Sequence, residues 1–255
     1  MRIKINPHKR IGKVLFLVEG DVDEVIIIKH IFMSLFGYSI VSYDKRNSTV
    51  QELVLEGDPY SKVFIVPMKY SAISKILDCD EYMDNVYQTL KAYGLEKDES
   101  RKYLLFDRDR LSNRYSVIRN LFSVFKDPLD NDTNIGGLLL LSYPCIQSLL
   151  CECNLDLPSF CASKEVKKHL LEKGYEISDI TFQKLMDGVN QMLMTIYSIV
   201  GCSFDKNAIN NIESINIKVL DEEQDKYCRD NVFYTLSMMM VSLLDLGIIE
   251  IKESD

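Results

Sequence analysis

The chain has 255 residues, 47% of them hydrophobic, with 38 acidic side chains against 30 basic ones and a formal charge of −8. This length admits one large core or two small ones, and the acidic total excludes a strong duplex-binding surface over the whole molecule. No apolar stretch is long and uninterrupted enough to span a bilayer, residues 138–141 and 236–244 included, and no repeat, low-complexity tract or Gly/Ser linker divides the chain.

The start, residues 1–13, is polar and basic and lacks the apolar centre of a signal peptide, so a cytoplasmic protein without membrane contact is expected. Residues 13–18 form an apolar run that reads as a buried strand and stops at Glu19-Gly20. A helix is expected over 21–36, where Val25, Ile28, Phe32 and Leu35 share a face and Gly37 follows as terminator. Residues 38–43 read as a short strand before a polar turn at 44–48. Residues 63–66 read as another strand, which Pro67 keeps from continuing in a central ladder. A mostly helical stretch runs over 71–93 to Gly94. Tyr103-Leu104-Leu105-Phe106 is a second buried strand, ending in Asp107-Arg108-Asp109. A helix over 113–125, a turn-rich loop over 128–134 and a strand over 137–141 follow.

This alternation predicts a parallel sheet covered on both faces. Beyond residue 154 the periodicity becomes helical, over 164–173, 178–200 and 221–246. Asp221 and Gln224 have capping-box spacing at the start of the last segment, and Gly247 stands where it should stop. The expected organisation is an α/β domain over 1–154 and a helical domain over 155–255 for assembly or substrate contact.

Two of these strands carry the chemistry. Each delivers carboxylates at its carboxyl end, the edge where open α/β sheets place ligand sites. If the strands are neighbours, Glu19, Asp107 and Asp109 converge and repel one another, and a hard divalent cation relieves that repulsion. Asp107 and Asp109 point to the same side of an extended chain. Arg108 and Arg110 between and after them can hold a phosphate or brace the carboxylates. Asp23 and Glu24 sit in the first turn of the next helix, where the dipole favours acids; capping is a sufficient role for Glu24. Gly20 is read as a turn residue that lets that helix start at once.

The stretches Val18-Glu19-Gly20-Asp21-Val22-Asp23-Glu24 and Phe106-Asp107-Arg108-Asp109 resemble the Glu-Gly-x-x-Asp and Asp-x-Asp motifs of Toprim domains. The resemblance covers roughly residues 11–150, in the family's order. It implies a Toprim-like Rossmannoid parallel sheet with a C-terminal helical extension. It also implies an Mg²⁺- or Mn²⁺-dependent endonuclease in which Glu19, Asp107, Asp109 and Asp23 hold metal, Glu19 and the Asp pair act on the phosphodiester, and Arg108 and Arg110 bind phosphate. Among Toprim proteins the layout is most similar to overcoming-lysogenization-defect nucleases and to small effectors of phage-defence systems such as PARIS. That implies an abortive-infection role against DNA or RNA (transfer RNA included), with a separate ABC-type ATPase as partner. Related defence proteins often carry an acid where this chain has Gln147, and Glu152, Asp127 and Asp130 are the acids nearby. A non-catalytic Toprim-fold binding or assembly module is the alternative, and primase-like nucleotidyl transfer lacks its zinc-binding elements here.

Other constellations carry less. The seven cysteines include Cys145, Cys151, Cys153 and Cys161 close together, but no Cys-x-x-Cys pair, and are read as buried inert thiols. His30 lies among Ile27, Ile28 and Ile31 and is read as structural; no serine or cysteine hydrolase is supported. No P-loop motif occurs, so nucleotide-driven switching would come from another protein. Met238-Met239-Met240 in the last helix are of a kind more often core than interface, but apolar residues cover more than one face of that helix, so packing against a partner, in a homo-oligomer or on the ATPase, is also expected.

Overall fold

The computed structural model describes residues 2–20, 22–41, 50–68, 73–78, 80–108, 114–131, 135–151, 158–201 and 209–252. In chain order the elements are β1 (Arg2–Ile5), β2 (Lys13–Val18), α1 (Asp23–His30, prolonged by a π-helical turn over Ile31–Leu35), β3 (Tyr38–Ile40), β4 (Gln51–Leu55) and β5 (Asp58–Pro67). Then come α2 (Asp80–Ala92), β6 (Ser100–Asp107), α3 (Tyr115–Val124), β7 (Lys126–Asp127) and β8 (Gly137–Tyr143). The second half holds β9 (Ser159–Phe160), α4 (Ser163–Glu172), α5 (Phe182–Val200), α6 (Ile212–Asp230), β10 (Phe233–Tyr234), β11 (Leu236–Ser237), α7 (Met239–Asp245) and β12 (Ile249–Lys252).

The apolar runs become the centre of an α/β, Rossmann-like sheet. Its order is β11-β8-β6-β2-β5-β4-β3, with β7 also on β8. β8, β6, β2 and β5 are mutually parallel, and helices on the faces leave Val14 to Val18 of β2 with no exposed surface. Burial on both faces is why these strands read as unbroken apolar runs. β4 was not expected. It forms a hairpin with β5 around Glu56-Gly57, where Gly57 supplies a φ of +79°, and its partly polar sequence suits a position near the sheet's edge.

The second half is not a purely helical appendage. β11 joins the large sheet at the carboxyl end of β8, Leu236 opposite Tyr143, and β12 pairs with β1. The expected boundary at residue 154 is therefore crossed by the sheet, and one apolar core runs through both halves. The helix expected over 221–246 is broken: α6 stops at Asp230, with Asn231 left-handed at φ 59°. Phe233-Tyr234-Thr235 then extends, as aromatic and β-branched residues favour. α7 is apolar all round because it is buried all round: Met238, Met239, Met240, Val241 and Leu243 are at most 1% exposed. These residues fill this chain's own core, so the assembly surface expected on them is not there.

At the amino-terminal edge of β6, Lys102 is fully buried. Its Nζ donates to Lys97 O at 3.0 Å, to Ser100 O at 3.4 Å and to Asn131 Oδ1. Burial, then repulsion by Lys97, lowers its pKa to about 8. The folded value lies below the unfolded one, so between the two the unfolded chain binds more protons and stability rises with pH. Wild type is expected to gain up to about 3 kcal/mol relative to Lys102→Met between about pH 7.5 and 10.5, read by urea unfolding. An equal pH dependence in both proteins would remove this account of Lys102.

Candidate functional site

β2 and β6 are adjacent and parallel, with Val18 opposite Leu105, so their carboxyl ends meet as the two motifs require. The chain beyond β2 stays in register: Glu19 N donates to Leu105 O at 3.1 Å. The Glu19 side chain then crosses to β6, where Oε2 accepts the Asp107 N–H at 2.8 Å. Asp107 is oriented from the far side, its Oδ1 accepting the Ile146 N–H at 2.8 Å in the turn after β8. Two carboxylates are thus fixed by backbone donors that cost no rearrangement when charge arrives.

A third carboxylate belongs with them. Glu24, in the first turn of α1, is only 7% exposed, and a Cβ added to Gly20 would collide with its Oε2. Gly20 has no positive φ; it is needed for the close approach of Glu24, where turn flexibility had been expected. The Asp107 carboxyl is pushed well above the ordinary range by burial first, then by Glu24 and Glu19. The Ile146 N–H and Lys167 oppose that rise. Helix-dipole capping explained Glu24 in the sequence; in the structure it is also buried and close enough to Asp107 to act on its charge.

Asp23, the residue matched to the family motif, is instead ion-paired with Lys167 of α4. That hydrogen bond raises the Lys167 pKa. Lys167 therefore brings a cation from the second half of the chain to the rim of the acidic group, which sequence reading missed. Asp109 and Arg110 lie outside the described residues, as does Glu152. Arg108 is 3% exposed; its Nη2 donates to Gln224 Oε1 at 3.2 Å and its guanidinium lies 5.9 Å from the Phe233 ring centre. Its place is against α6 and β10, enclosed by protein. Gln147 follows Ile146 in the turn that binds Asp107; it is buried, and among the described residues its Oε1 has no hydrogen-bond partner. Asp127 and Asp130 are at the opposite edge of the sheet, close enough to Lys102 to act on its charge, so neither completes this site.

The three carboxylates are hard oxygen donors of the kind Mg²⁺ and Mn²⁺ take, and the Asp107 pKa is raised by burial first and only then by the charges of Glu24 and Glu19, which a cation would offset. As placed, however, these three do not close into a metal site: among the described residues no three His, Cys, Asp or Glu side chains form a group that could hold a metal ion. Cys145 and Cys151 are buried free thiols, and burial pushes Cys151 to about 12, as expected of inert residues; Cys161 is only half-buried, its Sγ donating to Glu165 Oε1, and Cys153 lies outside the described residues. His30 bonds Ile180 O and Ser34 Oγ, in keeping with a structural role. Among the described residues no helix is long and apolar enough to cross a membrane.

No family model matches the chain, and no curated protein does. Among solved structures, the crystal structure of a hypothetical protein from Pyrococcus horikoshii OT3 is similar at a TM-score of 0.33 and 13% identity, over 93% of this chain and 96% of that one. A likeness at that level carries no argument about either fold or function.

Proposed function

We propose that the chain is a metal-dependent phosphodiesterase that cuts nucleic acid, with Glu19, Glu24 and Asp107 as its acidic centre and Asp109 as a further ligand. The observation that carries this reading is the meeting of Glu19 with the buried Asp107 at the carboxyl edge of a parallel sheet, Glu19 Oε2 accepting the Asp107 N–H at 2.8 Å, with Glu24 close enough to act on the Asp107 charge. The resemblance of the two motifs to Toprim domains supports it independently. A bound Mg²⁺ or Mn²⁺ would supply polarisation of a phosphoryl oxygen and acidification of water. The chain's own groups do the rest. The Asp107 N–H holds Glu19 in place, the Ile146 N–H holds Asp107, and Gly20 leaves room for Glu24. Lys167, paired with Asp23 at the rim, offers an incoming phosphate a cation in a chain that is acidic overall. A phage-defence role under a partner ATPase, in a homo-oligomer or not, and a cytoplasmic location follow from the family resemblance and belong to the same proposal.

One observation favours a second reading, a non-catalytic binding module: a neutral Gln147 stands in the turn that binds Asp107. The two are separated by incubating purified protein with single- and double-stranded DNA, transfer RNA and other RNA in Mg²⁺, Mn²⁺ or EDTA. Cleavage that requires the cation is expected. Cleavage that persists in EDTA would sink the metal mechanism, and none under any condition would leave the binding module.

A further inference from the structure

Helix α6 grips the chain on both sides of the segment that follows β6. On the strand side, Arg108 donates to Gln224 Oε1 at 3.2 Å. On the helix side, Asp221 accepts from Tyr115 Oη at 2.6 Å and from Arg119 Nη1 at 2.6 and 2.8 Å. Asp221 and Gln224 are three residues apart and share a helix face. The helix is itself anchored. Asn216 Nδ2 donates to Leu139 O of β8 at 3.0 Å, and Glu223 Oε2 accepts the Tyr234 N–H at 2.8 Å.

We propose that α6 is a clamp on the acidic centre, with Gln224 and Asp221 as positioning residues that hold the flanks, Arg108 and Tyr115, and through Arg108 fix Asp107. Arg108 then acts as a brace between Asp107 and the second half of the chain, and a change in α6 is transmitted to the carboxylates. The proposal rests on the acidic centre being the functional site, but its first readout does not depend on any activity. The Asp107 N–H is bonded to Glu19 Oε2, and the Arg108 N–H to Ser142 O at 2.8 Å. Exchange of these two amides with deuterium, followed by NMR, reports the clamp directly.

Gln224→Ala and Asp221→Ala are compared singly and together with wild type, with Glu222→Ala on the exposed face of α6 as control. Both amides are expected to exchange several-fold faster in each single variant and faster still in the double variant. The melting temperature should stay within a few degrees, and Mn²⁺ affinity should fall in the same order. The control should match wild type in every readout. Unchanged exchange in the double variant overturns the clamp. So does faster exchange spread through α3, α6 and β8 with a large loss of melting temperature, which would make these residues ordinary packing. A wild type that takes up no Mn²⁺ defeats the metal reading alone, while amide exchange still decides the clamp.

Discussion

Asp107→Asn and Glu19→Gln are each expected to lower metal-dependent cleavage on the order of 10²–10³-fold, the loss typical of removing one preorganised electrostatic group, without unfolding the protein. Both substitutions keep an acceptor oxygen where the structure uses one, for the Ile146 N–H and the Asp107 N–H respectively. Only the charge goes. Stability should move the other way from activity. The folded Asp107 carboxyl titrates well above its ordinary value, so the folded state binds the proton more tightly and loses stability as pH rises above about 4, the unfolded value. In EDTA at pH 7, Asp107→Asn should therefore melt at the same temperature as wild type or higher, and the difference should vanish near pH 4. Thermal melts at both pH values beside cleavage assays check this. A variant that cleaves normally, or that unfolds at pH 7, would overturn the assignment.

The second large effect separates two neighbours on α1. The motif resemblance puts Asp23 among the ligands, whereas the structure pairs Asp23 with Lys167 at a partly exposed position and buries Glu24 beside Gly20. Glu24→Gln is expected to weaken Mn²⁺ binding on the order of 10–100-fold, the range seen when groups supporting a metal site are removed, and to cost activity accordingly. Gly20→Ala should behave similarly, because its methyl would occupy the space of the Glu24 carboxylate and force that side chain aside. Asp23→Asn should change metal affinity little, since a partly exposed ion pair contributes little. It should reduce cleavage only through the loosened Lys167.

The parts legible in the sequence were those set by local pattern. β2 and β6 show as continuous apolar runs because a parallel strand is covered on both faces, and the meeting of Glu19 with Asp107 follows once such strands lie side by side. The helix ends at Gly37 and Gly94, both with positive φ, are likewise local. What was not legible depends on distant partners. The exposure of Arg108 is decided by α6, more than a hundred residues on, and so it read as available to phosphate. Glu24 read as a capping acid because nothing local reveals that Gly20 admits its carboxylate. Residues 221–246 kept a helical period across Asn231, and only pairing with β8 makes Leu236-Ser237 a strand. Their apolar character on more than one face left both core and partner packing open, and enclosure by this chain decides for the core. Lys167 reaches the rim of the acidic group from the half that had been assigned to assembly or substrate contact.

If Glu19, Glu24 and Asp107 form a centre for a divalent cation, calorimetric titration with Mn²⁺ will show it without any assumption about substrate. Wild type, Glu24→Gln and Asp23→Asn are titrated under the same conditions. Saturable binding between micromolar and millimolar is expected for wild type, strongly weakened binding for Glu24→Gln, and nearly unchanged binding for Asp23→Asn. No saturable Mn²⁺ uptake by wild type, or loss of binding in Asp23→Asn with retention in Glu24→Gln, would contradict the account.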